Sequence, residues 1–287
     1  MKKIFILTLF IFTFLIIKGQ SVSDLKSVTA FIYVQDSLGR KSPNGTCFFV
    51  GIRSKQDTTQ YYPYLVTAKH VLQKEGEEFH TEIFVRMNTK DSSRFSHVPI
   101  DTNSTQRSVY FHSDPSIDIA VIPYLPLEND FIFKFIDTSF IFDRKAFQSL
   151  QIHEGLETLF TGLFTAFIGD AKINPIVRFG KIALVSEEKI DWVKGKSDLI
   201  LVETSSYGGN SGSPIYFKIP IPNSFNGYQL ILGGILSGTF RDLAEIKVIE
   251  NSNIVPIVPY NNGISAITPV YLLREILYSD ELSKLRK

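Results

Sequence analysis

A single cysteine, Cys47, stands in 287 residues. That scarcity excludes an intramolecular disulfide and any thiolate cage for zinc or an iron–sulfur cluster, so packing alone must hold the fold. Charge of one sign is also missing: 30 Lys and Arg face 29 Asp and Glu, a formal net charge of +1. Without a long basic run there is little basis for the counterion release that drives nucleic-acid binding, and no nucleic-acid partner is expected. No repeat of about 20–50 residues and no low-complexity linker is present. The five His, at 70, 80, 97, 112 and 153, are scattered, which argues against a metal site. No cofactor is expected.

The one long apolar run, Ile4 to Ile17, covers 14 residues, short of the roughly 20 that cross a bilayer. Lys2 and Lys3 precede it and Lys18-Gly19-Gln20 follows it, the layout of a secretory signal peptide removed after Gly19 or Gln20. No Cys near the cut could carry a lipid. Cutting after Gly19 leaves 27 basic against 29 acidic residues, a net charge of −2 over 268 residues. The expected product is exported, periplasmic or secreted, and free of the membrane after cleavage.

At about 150 residues per domain the length suggests two domains or one large β architecture, and 44% hydrophobic residues exclude wholesale disorder. Short runs rich in Val, Ile, Phe and Tyr, broken by Gly, Pro, Asn and Asp, predict strands and turns. They include Val28 to Val34, Thr46 to Ile52, Tyr61 to Thr67, Glu82 to Met87, Ile117 to Ile122, Leu156 to Phe167, Ile176 to Val185, Leu199 to Glu203, Gln229 to Leu236 and Gly263 to Ile267. Only two stretches read as helical: a short one from Ala68 through Leu72, and the last 19 residues, where Val270, Leu273 and Leu277 recur at helical spacing. The chain is therefore expected to be all-β with a C-terminal α-helix. The division falls between Pro126 and Leu150, where charges interrupt a Phe-rich stretch.

Chemistry concentrates in three places. Tyr64-Leu65-Val66-Thr67-Ala68-Lys69-His70-Val71 is a strand running into a turn that carries an imidazole. Ile117-Asp118-Ile119-Ala120-Val121-Ile122 sets a carboxylate at the head of an apolar strand. Gly208-Gly209-Asn210-Ser211-Gly212-Ser213-Pro214 is a glycine-rich turn with a hydroxyl at its centre, where glycines let amide N–H groups face a substrate oxygen. A nucleophilic Ser needs such a turn, a neutral His to take its proton, and a carboxylate to orient the His.

At these residues the chain resembles serine peptidases of the trypsin/chymotrypsin family, with His70, Asp118 and Ser211 in the family's order, separated by 48 and 93 residues. Gly45-Thr46-Cys47-Phe48-Phe49-Val50, Arg178-Phe179-Gly180-Lys181-Ile182, Gly233-Gly234-Ile235-Leu236-Ser237-Gly238 and Gly263-Ile264-Ser265-Ala266-Ile267-Thr268-Pro269 extend the resemblance from about Ser27 to the end. An α/β-hydrolase would need a His after its Ser, whereas all five His precede Ser211; a subtilisin would need its Asp before its His. Asp114, beside Pro115, reads as a turn residue, and Cys47 as a small hydrophobe in an apolar strand.

The resemblance implies two six-stranded antiparallel β-barrels, residues 20–130 carrying His70 and Asp118 and residues 151–268 carrying Ser211. A connection over 131–150 and a helix over 269–287 complete the expected chain. It also implies that the amides of Gly209 and Ser211 form an oxyanion hole and that Ser237 supports Asp118. The backbone of Ser237, Gly238 and Thr239 would pair with an extended polypeptide substrate. Ser205, six residues before the nucleophile, would floor the primary pocket, with Thr239 and Gly263 as walls. Lacking a carboxylate there, the site is expected to prefer a neutral or apolar residue over Arg or Lys.

Asn210 stands where the digestive and clotting enzymes carry the aspartate that pairs with a freed N-terminus, so no such proteolytic switch is expected. That residue and the missing disulfides make the chain more similar to bacterial disulfide-free members, including envelope heat-shock proteases, although an assembly built through their appended peptide-binding domains is not expected. The reading from a different class is a catalytically silent protease fold serving as a binding or scaffold module.

Overall fold

The computed structural model describes residues 22–74, 78–91, 94–102, 109–193, 195–221, 227–245 and 257–286. The apolar run and its proposed cleavage point lie outside them. The chain is mostly β, and its strands form two large sheets.

A short helix, α1 (Val22–Ser27), leads into β1 (Thr29–Gln35), β2 (Lys41–Arg53), β3 (Tyr61–Thr67), β4 (Glu82–Thr89), β5 (Phe95–Asp101), β6 (Tyr110–Phe111) and β7 (Ala120–Pro123). Their order in the sheet is β5-β4-β1-β2-β3-β7-β6. Two further strands, β8 (Phe131–Ile132) and β9 (Ile136–Asp137), pair with β4 and β2. The segment expected as a connection therefore hydrogen-bonds into the first sheet before helix α2 (Arg144–Gln148). β2 is buried on both faces. Its side chains alternate across the pleat, so Phe48 and Val50 join one apolar cluster while Cys47 and Phe49 join another. That double burial explains the unbroken apolar run.

The second half contains β10 (Glu157–Gly162), β11 (Ile176–Val185), the small hairpin β12 (Ile190–Trp192) and β13 (Gly195–Ser197), β14 (Ile200–Glu203), β15 (Pro214–Pro220), β16 (Tyr228–Glu245) and β17 (Ile257–Pro269). Six of these close into a barrel in the order β10-β11-β14-β17-β16-β15. The expectation of two six-stranded barrels is thus met once. The first sheet follows a seven-strand path with two strands off it, and among the described residues no β5–β6 pair closes it.

The expected terminal helix is two helices, α3 (Val270–Leu277) and α4 (Asp280–Lys284). Val270, Leu273 and Leu277 are fully buried as their spacing predicts, each contributing about 1.5–3 kcal/mol of apolar burial. The break comes at Ser279, whose hydroxyl accepts from Leu282 N at 3.4 Å. Asp280 and Glu281 in the next turn complete a helix-start signature. The two halves are tied by Thr29 Oγ1 to Thr161 Oγ1 at 2.7 Å and by Arg86, a buried residue of β4 whose guanidinium donates to Gly169 O.

Candidate active site

β3 and β7 pair antiparallel, ending at Thr67 opposite Ala120. Residues just beyond that end leave β3 and arrive at β7 side by side. Ala68 and a 3-10 turn, Lys69–Leu72, place His70 there. Asp118 sits between Ile117 and Ile119, which are buried in the core, so its own side chain projects the other way. Its carboxylate meets His70 twice: Oδ1 accepts the backbone N–H at 3.0 Å and Oδ2 lies 2.7 Å from Nδ1. Donation from Nδ1–H to a carboxylate selects the tautomer whose Nε2 is the basic atom. Asp118 is 14% exposed and His70 42%, so the carboxylate is sheltered while the imidazole is open to solvent.

Asp114 does turn duty. Its Oδ1 accepts from Ser116 N and Oγ at 2.9 and 2.7 Å, and Lys189 Nζ lies 3.0 Å from Oδ2. The Ser116 hydroxyl first, then Lys189, hold its carboxyl well below the usual range. Cys47 is fully buried, which pushes its thiol pKa up.

Ser211 lies in the tight loop before β15. Gly209 and Gly212 take φ of +91° and +85°, the left-handed region that glycine enters without strain. A side chain on Gly212 would collide with Thr46 O and Thr67 Oγ1 and come within 3.1 Å of Ala68 N. The Ser211 loop thus packs directly against the strand end that leads to His70. Thr46 N donates to Ser211 O at 2.9 Å and Gly212 N to Leu236 O at 2.8 Å. Ser213 is fully buried, out of reach of any substrate, whereas Ser211 is partly accessible. Asn210 is buried, with its Oδ1 accepting from Tyr207 N at 2.8 Å and its Nδ2 donating to Leu163 O at 2.5 Å.

β15 pairs with β16 only as far as Pro214 opposite Ile235. From Ser237 onward that edge of β16, including Gly238 and Thr239, has no strand partner among the described residues. The Ser237 hydroxyl is buried and bonds Thr268 Oγ1 at 2.6 Å, bracing β16 against β17; Asp118, which the resemblance assigns to it, bonds His70 instead. Trp192, on the β12–β13 hairpin, covers Gly238 and packs against Phe240 with ring centroids 4.9 Å apart.

Ser205 is exposed and, with Gly263, lines an open cavity of about 700 Å³ at the end of the barrel, beside Phe179, Lys181 and Tyr228. Neither Ser211 nor the Ser237–Thr239 edge borders it. Ser206 points the other way, buried, with its hydroxyl 2.7 Å from Ser265 Oγ. Sequence reasoning missed that pair. Burial alternates over Thr204 to Tyr207 with the period of an extended chain, but Thr-Ser-Ser-Tyr carries no polar–apolar alternation that would have marked it. The long segment from Arg241 to Asn262 is in part a ribbon, with β16 running on to Glu245 opposite Ile257 of β17.

No family model matches the chain, and no curated protein matches its sequence. Among solved structures it is similar to the MamO protease domain from Magnetospirillum magneticum in its apo form. The TM-score is 0.51 at 12% identity, covering 89% of this chain and 98% of that one. It also matches Rv3671c from M. tuberculosis H37Rv, as an inactive-form serine-to-alanine mutant, with a TM-score of 0.44 at 14% identity over 93% of this chain and 91% of that one. The architecture is a trypsin-like protease fold.

Proposed function

We propose that the chain is an exported serine endopeptidase. The observation that carries this reading is the two-point grip of Asp118 on His70, with Nδ1 on Oδ2 at 2.7 Å, beside the loop that presents Ser211. A carboxylate so placed holds the neutral imidazole with its proton on Nδ1. Nε2 then takes the Ser211 proton as Oγ attacks the peptide carbonyl. The resulting imidazolium, stabilised by Asp118, returns that proton to the leaving amine. Water repeats the sequence to release the acyl group from Ser211.

Charge on the tetrahedral oxygen would be met by the amides of Gly209 and Ser211, a kind of donor worth on the order of 10²–10³ in kcat when lost singly. The edge at Ser237 to Thr239, without a strand partner among the described residues, supports an extended polypeptide as substrate, added as a strand. We propose a neutral or apolar residue before the scissile bond, because no carboxylate stands at Ser205, Thr239 or Gly263 to pair with Arg or Lys.

The test is labelling of the 20–287 form by a fluorophosphonate at Ser211. Labelling lost in Ser211→Ala and strongly reduced in His70→Ala supports the reading; no labelling of intact protein supports a silent binding module. A peptide-library profile dominated by Arg or Lys would overturn the specificity. Export is tested by N-terminal sequencing of the processed protein, expected to begin at Gln20 or Ser21.

A further inference from the structure

Thr46, fully buried in β2, uses every polar atom it has on the elements around the nucleophile. Its N–H donates to Ser211 O at 2.9 Å and its hydroxyl donates to Gly209 O at 2.8 Å. The same Oγ1 accepts from Leu163 N at 3.0 Å, and its carbonyl accepts from Thr67 Oγ1 at 2.7 Å. Leu163 in turn receives the Asn210 side-chain amide, and Thr67 stands three residues before His70. One residue thus joins the loop of Ser211, the end of β10 and the strand leading to His70.

The geometry points to Thr46 as the positioning residue of the oxyanion-binding loop. The inference rests on the peptidase reading of Ser211. Gly209, at a φ of +91°, has no side chain to resist rotation of its peptide planes. Its carbonyl is fixed by the Thr46 hydroxyl, and the next amide, Asn210 N, by Tyr207 O at 3.0 Å. The Gly209–Asn210 peptide is therefore held at both ends, and this fixed plane limits how far the preceding peptide, which carries the Gly209 N–H, can turn. A hydroxyl has one proton to give and lone pairs to receive, and here it does both. Valine has Thr46's shape and neither capacity; serine has both.

The experiment compares Thr46→Val and Thr46→Ser with the parent protein. It reads kcat and KM on a peptide, affinity for a peptide aldehyde, which forms a tetrahedral adduct with Ser211, and amide exchange at Gly209 to Ser211. Thr46→Val is expected to lower kcat and weaken the aldehyde by about ten- to a hundredfold, in line with the cost of a small misplacement. KM should hold, and exchange should rise at the loop alone. Thr46→Ser should restore all of these to within about threefold of the parent. Unchanged kcat and aldehyde affinity in Thr46→Val overturn the inference, as does an exchange increase spread evenly over the sheet, which marks simple destabilisation. A parent protein that neither turns over peptide nor binds aldehyde defeats the peptidase reading instead. Exchange at the loop then still decides whether Thr46 holds it.

Discussion

Asn210 donates its side-chain amide to the carbonyl oxygen of Leu163 at 2.5 Å and is 2% exposed. The residue before Ser211 is therefore anchored by a neutral amide within the folded chain. In Asn210→Asp a carboxylate oxygen faces that carbonyl and the donor is lost. We expect a loss of about 1–3 kcal/mol of stability at neutral pH together with lower kcat. The loss should shrink in acid, where a protonated carboxyl can donate again. Urea unfolding across pH checks the sign, and activity that appears only after nicking near the N-terminus would contradict the switch-free reading.

Asp118→Asn preserves shape and can still face His70, but its amide favours the opposite ring tautomer. Peptide turnover should fall by roughly 10⁴-fold with the fold intact. Steady-state kinetics beside a thermal melt separates the two effects, and a fall of less than about tenfold would remove Asp118 from the proposed role.

Gly212→Ala meets two obstacles, the positive φ of +85° and the collision with Thr46 O and Thr67 Oγ1. Backbone strain of this kind costs about 1–3 kcal/mol, and the collision adds to it at the junction between Ser211 and His70. A lowered melting temperature with slowed fluorophosphonate labelling is expected; an unchanged pair of values would show that the loop is less constrained.

His97, in β5, has its pKa lowered from 6.5 to about 4, first by burial and then by the charges of Lys41 and Arg86. The folded form therefore binds this proton more weakly than the unfolded one. Its contribution to stability is complete above about pH 6.5 and is lost as pH falls toward 4. Urea midpoints measured across that window should decline in the parent protein and decline less in His97→Gln.

The three chemical segments were legible because each is local: a strand running into a turn at His70, an apolar strand headed by Asp118, and glycines flanking Ser211. Strands with continuous or alternating apolar runs were legible too, β3 and β11 to the residue. β5, β6, β8, β9, β12, β13 and β15 were not, because five are only two or three residues long and β5 and β15 mix Pro, Lys or His into their runs. The first sheet's two added strands were not legible because β8 and β9 return to it from the segment expected to be a connection. Ser205 was singled out by the resemblance, six residues before Ser211, and a shift of one residue along an extended chain reverses which side chain points inward. The terminal helix reads as continuous by its apolar spacing, but Ser279 starts a second one.

Strand and turn propensities, the absence of disulfides, and the residue types able to perform acyl transfer are properties of short windows, and the amino-acid sequence alone determined them. Which groups meet was decided only by the tertiary structure. His70 and Asp118 are 48 residues apart and Thr46 and Gly209 are 163 apart, yet each pair is in hydrogen-bond contact. Those meetings depend on antiparallel register and on how the closed barrel docks against the first sheet. They are long-range choices settled by burial of the shared core, and no local pattern encodes them.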